Sequence, residues 1–190
     1  MAQFIALFLA LPWQYVGKKT MNESTSTELW DQMVYDFVHG GAAPTAHQEF
    51  FQPGVDRVAL VCQALRIPGR NRMTALALLQ KMTVDEQQRL FPELIQVARA
   101  AHGPVGAVRE IIRSLPRKWV LAHIEPEVEA ILANEAYDDY WMFLEFYQQL
   151  DASKALQLAR RAAGHADPDI RELGLEWLAD LPAPGDSGAA

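Results

Sequence analysis

The amino-acid sequence predicts an all-α protein built from stacked pairs of antiparallel helices. Apolar residues recur three and four positions apart, as Trp30, Met33 and Phe37 do after a capping signal at Thr25, and a second capping box is predicted at Thr83 with Glu86. Proline, glycine and asparagine interrupt this pattern after a few turns, which is the spacing of short paired helices. No Asn-Gly or Asp-Gly dipeptide lies between two alternating apolar runs, so nothing in the sequence indicates a β-hairpin.

The composition is that of a folded domain that needs no cross-links. Half of the 190 residues are hydrophobic and 22% are charged, and a chain of this length buries a sizeable core. The single cysteine, Cys62, permits no disulfide bond within the chain, and this favours a cytoplasmic protein. Cys62 lies in an apolar run, so we interpret it as a core residue and not as a nucleophile.

The N-terminal segment Met1 to Leu11 is apolar but lacks the features of a secretory signal. No basic residue precedes it, no small-x-small cleavage site follows it, and Pro12 ends it well short of the roughly 20 residues of a membrane span. We interpret it as a short docked helix; a signal peptide and a true start at Met21 are the alternatives. Residues 1–54 are predicted to hold this segment and a capping helix, and residues 182–190 a disordered tail.

Four segments resemble one another as the second helix of a helix pair. Their register marks are 35, 32 and 30 residues apart, at Met73, Val108, Tyr140 and Ile170. A first helix is predicted before each mark, at residues 55–66, 84–101, 126–133 and 154–163. Such a period indicates a repeat protein, in which each pair is too small to bury both of its apolar faces and neighbouring pairs cover one another.

The segment from His165 to Leu178 resembles a HEAT repeat. It carries an aspartate-rich turn between helices, then the pair Ile170-Arg171, then spaced small and apolar residues. Val108-Arg109 repeats this pair, whereas the other two segments depart from the pattern. The resemblance covers about residues 55–181 and implies a right-handed α-solenoid of about four HEAT-like helix pairs that binds a partner without catalysis. An irregular helical bundle is the alternative.

Charge is distributed in blocks along the chain, which has a net charge of −7. Residues 56–118 carry eleven basic and five acidic side chains, whereas residues 119–151 carry eight acidic side chains and no lysine or arginine. This acidic block also contains aromatic residues, and carboxylates beside aromatic rings are typical of a surface that binds a basic protein. The residues predicted to bind such a partner are Glu135, Tyr137, Asp138, Asp139 and Trp141.

Two other interpretations of the charge pattern stay open. The acidic side chains could pair within the chain, with Arg109, Arg113, Arg117 and Lys118, or the basic block could bind the phosphates of a nucleic acid. The residues of this alternative basic surface are Arg66, Arg70, Arg72, Arg109, Arg113, Arg117 and Lys118. Since the whole chain is acidic and contains no nucleic-acid-binding motif, we expect a protein partner first.

The sequence contains no motif for catalysis, for a cofactor or for a metal. The patterns HExxH, GxSxG and GxGxxG are absent, and one cysteine with unpaired histidines offers no zinc-binding set. We therefore expect a protein–protein interaction module, an adaptor or scaffold that is not an enzyme. A more specific alternative is an immunity or inhibitor protein that neutralises a basic toxin such as a nuclease.

Overall fold

The computed structural model describes residues 23–40, 44–100 and 103–180, and every regular element in these ranges is a helix. The all-α prediction is therefore confirmed for the described residues, and none of their helices is long and apolar enough to cross a membrane. The segment 1–11, the start at Met21 and the tail 182–190 lie outside them. The described helices are α1 (Glu23–His39), α2 (Pro44–Phe50), α3 (Arg57–Arg66), α4 (Arg70–Leu79), α5 (Val84–Arg89), α6 (Phe91–Ala98), α7 (Val105–Ser114), α8 (Arg117–Leu132), α9 (Tyr137–Leu150), α10 (Ala152–Ala163) and α11 (Pro168–Asp180).

The chain divides into two compact units, the first through Arg57 and the second from Val58. In the first unit α1 packs against α2, and the buried rings of Trp30 and Phe50 lie 6.3 Å apart between their centroids. Helix α1 begins at Glu23, so the predicted capping signal at Thr25 is wrong, because that residue is already inside the helix.

The helices of the second unit lie where the sequence predicts them, with two differences. The four predicted second helices fall within α4, α7, α9 and α11. Pro126 does not begin a helix but lies inside α8, on a side where both Pro126 and Ala122, whose carbonyl loses the hydrogen bond that proline cannot donate, are exposed residues. The predicted helix 84–101 is divided at Leu90 into α5 and α6.

Local hydrogen bonds explain where two of these helices begin. The predicted capping box of α5 is confirmed: Thr83 Oγ1 accepts from the Glu86 backbone N at 3.3 Å, and Glu86 Oε2 accepts from the Thr83 backbone N at 2.9 Å. Before α11, Asp167 Oδ1 accepts from the backbone N of Asp169 at 2.9 Å and of Ile170 at 3.2 Å. This cap fixes the direction in which α11 leaves the preceding turn.

From α6 onward, each helix of the second unit contacts the next helix and the one after that. Direct packing joins α6 to α7 and α8, α7 to α8, α8 to α9, α9 to α10 and α11, and α10 to α11. Ion pairs join α7 to α9 and α8 to α10. Arg109 of α7 binds Glu145 of α9 at 2.8 Å, and Arg161 of α10 binds Glu129 of α8 at 2.6 Å. The apolar face of each of these helices is thereby covered by its neighbours.

Helices α10 and α11 approach each other closely at Gly174. A Cβ atom at this position would lie 2.1 Å from the backbone N of Ala163 and 2.8 Å from the backbone O of Ala159. No side chain fits at these distances, so the crossing requires glycine on α11 and small residues on α10.

We expect Gly174→Ala to lower the free energy of unfolding by about 2–4 kcal/mol, because the backbones of α10 and α11 must separate to admit the methyl group. Gly106→Ala is the matched control, since nothing lies within 4 Å of a Cβ there, and alanine in α7 should be neutral or stabilising by up to about 1 kcal/mol. Urea unfolding followed by circular dichroism measures both changes. Unchanged stability of Gly174→Ala would contradict the close crossing.

Candidate functional site

Asp139, one of the predicted partner-binding residues, is buried. It is only 3% exposed, and its two carboxylate oxygens accept hydrogen bonds from Arg99 Nε at 2.9 Å and Arg99 Nη2 at 2.8 Å. This bidentate ion pair joins the first turn of α9 to the residue that follows α6. The structure therefore removes Asp139 from the predicted surface, because the rotation of α9 turns this carboxylate inward.

Arg109, a member of the alternative basic surface, is also buried. Its Nη1 donates to Glu145 Oε2 at 2.8 Å, its Nη2 donates to the backbone O of Met142 at 3.2 Å, and its guanidinium lies 5.5 Å from the ring centroid of Phe146. Its Nε is buried without a hydrogen-bond partner. The side chain thus joins α7 to α9, and because it is only 6% exposed it is not accessible to a phosphate group.

Most of the other residues of the alternative basic surface are also bound within the chain. Arg72 Nε donates to the backbone O of Leu65 at 2.7 Å. Ion pairs or side-chain hydrogen bonds hold three more, namely Arg66 with Glu93, Arg113 with Glu110 and Gln149, and Arg117 with Asp151. Only Arg70 and Lys118 are exposed and make no such contact among the described residues, and they lie on different helices. They do not form a continuous basic stripe.

Five of the eight carboxylates in the acidic block pair with basic side chains of the second unit. Besides those of Asp139 and Glu145, the pairs are Glu125 with Lys154, Glu129 with Arg161 and Asp151 with Arg117. The hydrogen bond from Ser153 Oγ, together with those from two backbone amides and Arg117, lowers the pKa of Asp151. Three acids of the block have no ion pair within the described ranges, namely Glu127, Glu135 and Asp138.

A groove of about 240 Å³ opens between the beginning of α9 and one side of α11. Its lining residues are Tyr137, Asp169, Glu172, Leu173 and Glu176. The three acids lie three and four positions apart, so they share one side of α11. None of their carboxylates has an ion pair or hydrogen bond in the part of the chain that the structure describes. Leu173 also lines the groove, but it is only 3% exposed, so the accessible apolar surface there comes mainly from Tyr137.

Exposed aromatic side chains continue from this groove along α9. Tyr137 is 44% exposed and Trp141 is 41% exposed, and their four-residue separation places them on the same face of the helix. Asp138 and Glu135 are exposed beside them in the sequence. Of the predicted partner-binding residues, four therefore lie at the surface, and one of these, Tyr137, lines the groove.

The acids of α11 are site residues that sequence reasoning did not assign. In the sequence, the spacing of Glu172, Glu176 and Asp180 indicates only a solvated helix side. Nothing local reveals that this side lies next to Tyr137, more than 30 residues earlier in the chain.

Glu135 holds a left-handed backbone conformation in the turn between α8 and α9. Its φ is 52°, and it is the one described residue other than glycine with a positive φ. Its backbone N donates to the Leu132 O at 3.0 Å and so ends α8. Glycine is favoured at such a position, so the chain carries a strained residue there and retains an exposed carboxylate two residues before Tyr137.

Cys62 and Tyr147 of the second unit have environments that suppress their ionisation. Burial, with the nearby carboxylate of Glu93, raises the pKa of the Cys62 thiol, which therefore stays in its less nucleophilic protonated form. Burial also raises the pKa of the Tyr147 hydroxyl, and Glu125 and Glu129 add to this effect. Among the described residues, no group of three or more histidine, cysteine or acidic side chains is arranged to hold a metal ion.

No family model matches this sequence, and neither a curated protein nor a solved structure is significantly similar to the chain. The groove and the exposed face of α9 are therefore assigned from their geometry and charge. They combine unpaired carboxylates with accessible aromatic rings, and these are groups with which proteins bind cationic and partly apolar surfaces.

The adjacent residues Asp138 and Asp139 test the assignment of inward and outward charges. We expect Asp139→Asn to lower the free energy of unfolding by about 1–3 kcal/mol, because it leaves Arg99 without its bidentate partner. Asp138→Asn also removes a carboxylate from the first turn of α9 but breaks no ion pair, so we expect a change below about 1 kcal/mol. Chemical unfolding measures the free energy of unfolding of both variants. Equal losses would contradict the assignment of Asp139 to the interior and of Asp138 to the surface.

The strain at Glu135 predicts a gain in stability on substitution. We expect Glu135→Gly to raise the free energy of unfolding by up to about 1 kcal/mol, because glycine adopts a φ of 52° without steric conflict. Glu135→Ala, which removes the same charge but keeps a Cβ, is the control and should not be stabilising. A shift of the thermal midpoint for both variants alike would attribute the effect to charge instead of to the backbone.

Proposed function

We propose that this protein is a non-catalytic protein-binding module, an adaptor or scaffold in the cytoplasm, whose partner carries a basic surface. The partner binds at the acidic groove and the exposed face of α9. One observation carries this proposal. Most acids of the block 119–151 pair within the second unit, whereas the groove carboxylates of Asp169, Glu172 and Glu176 have no basic partner among the described residues. Like charges three and four residues apart on a helix disfavour folding by a few tenths of a kcal/mol per pair. A cationic partner relieves this repulsion.

The two kinds of side chain at the site contribute differently to binding. The carboxylates of Asp169, Glu172 and Glu176, in a chain of net charge −7, attract a basic partner and raise its association rate. Tyr137 and Trp141 supply accessible aromatic area, and such residues provide most of the binding free energy when they are desolvated in an interface.

We also propose that the helix pairs of the second unit stack as a right-handed α-solenoid similar to HEAT repeats. The contact of each helix with the next and the next but one is what such a stack requires. Arg109 binds Glu145, and Arg113 binds Gln149, both across 36 residues, which is close to the spacing of the predicted repeats. In this arrangement α7, α9 and α11 present one continuous surface to the partner.

A protein partner is favoured over a nucleic acid. Five of the seven residues of the alternative basic surface are held by hydrogen bonds or ion pairs within the chain, and the net charge repels phosphates. An inhibitor that neutralises a basic toxin, such as a nuclease, is a more specific form of the same proposal, since the groove carboxylates would occupy the place of phosphate groups.

The binding of a fluorescently labelled arginine-rich peptide tests the proposal. We expect the double variant Glu172→Gln, Glu176→Gln to bind this peptide at least about tenfold more weakly, a loss of about 1.4 kcal/mol, because two unpaired groove charges disappear. Fluorescence anisotropy at low and at physiological salt measures the dissociation constant.

The matched control is the double variant Asp85→Asn, Glu127→Gln, which removes the same net charge outside the groove and breaks no ion pair in the described ranges. Its affinity should stay within about twofold of the unchanged protein. Equal weakening of both double variants would attribute the binding to net charge alone and would contradict the groove.

A further inference from the structure

The acidic row of the groove runs parallel to the axis of α11. Asp169, Glu172 and Glu176 span seven residues, which corresponds to an axial rise of about 10 Å, or two helical turns. Tyr137 lies on the α9 side of the same groove, and Leu173 lies between the acidic row and the buried side of α11. A partner that engages all of these groups must therefore present its cations along a line, with an apolar strip beside them.

The walls of the groove offer few backbone groups to a partner. Both walls are helices, whose interior N–H and C=O groups are hydrogen-bonded within the helix, whereas the first-turn N–H groups of Tyr137 and Asp138 have no backbone partner among the described residues. No strand edge exists in the described part of the chain. An extended peptide that covered Tyr137 and Leu173 would bury backbone amides without partners, whereas a helical peptide satisfies its own.

A helix also reproduces the spacing of the groove residues. Lysine or arginine at positions i, i+3 or i+4, and i+7 recurs along one side of a helix with the same rise as the three acids of α11. An adjacent apolar stripe of the same helix would lie against Tyr137 and Leu173, and the long stems of the basic side chains would cover the border of the groove.

We infer that the partner enters the groove as a basic amphipathic helix that lies along α11, an inference that rests on the proposed function. Charge complementarity selects this occupant over a second copy of the chain, because two molecules of net charge −7 repel each other. The helix packs between α9 and α11, with its cations on the α11 acids and its apolar stripe on the α9 side.

Two peptides of equal charge and equal apolar face test the inference. The first has lysine and leucine at helical spacing with alanine on its outward side. The second differs only by one central outward alanine changed to proline, which opposes helix formation by about 3 kcal/mol and leaves the groove-facing residues intact. We expect the first peptide to bind at least about tenfold more tightly in calorimetry and to gain helical circular dichroism on binding. We expect Glu172→Gln, Glu176→Gln to weaken this binding, and Asp85→Asn, Glu127→Gln to leave it within twofold.

Each outcome of this comparison decides between the two proposals. Equal affinity of the two peptides, lost together in the groove variant, would reject the helix and retain the acidic groove as a binding site. If the helical peptide binds more tightly than the proline peptide, but its affinity is unchanged in the variant Glu172→Gln, Glu176→Gln, the proposed position of the helix along α11 is wrong. Failure of both peptides and of the arginine-rich peptide to bind would overturn the inference and the proposed function together.

Discussion

The burial of one face of α9 determines which charges of this chain remain available to a partner. Tyr140, Phe143 and Phe146 are almost completely buried, and their need to leave water fixes the rotation of α9 about its axis. Because side chains on a helix have fixed angular positions, this rotation also turns Asp139 inward and places Tyr137 and Trp141 at the surface. The candidate site is thus a consequence of core packing.

The pairing of two adjacent acids of α9 follows burial in the same way. Asp139 is removed from water and accepts hydrogen bonds from Nε and Nη2 of the Arg99 guanidinium, whereas its exposed neighbour Asp138 has no ion pair among the described residues. A buried charge requires a partner because its desolvation is costly, but a solvated charge does not. At this position the fold therefore uses the inward carboxylate of Asp139 and leaves that of Asp138 in water.

Local features of the fold could be predicted from the sequence, and contacts between distant segments could not. The Thr83 capping box depends on residues three apart, and its prediction is confirmed. Pro126 suggests a helix start by local rules, but the buried positions of Ile124 and Val128 on either side hold α8 together through it. The groove requires knowledge that α11 lies beside Tyr137, and no short-range pattern carries that information.

The crossing at Gly174 connects the packing of the last described helix to the chemistry of the groove. Ile170 and Gly174 lie on the side of α11 that is buried, and Gly174 there meets the backbone of α10. At about 100° per residue, Asp169, Glu172 and Glu176 then fall on another side of the same helix, the side that borders the groove. Gly174 therefore helps to orient all three carboxylates toward the groove, and we expect a change at this crossing to alter the geometry of the groove while every groove residue is retained.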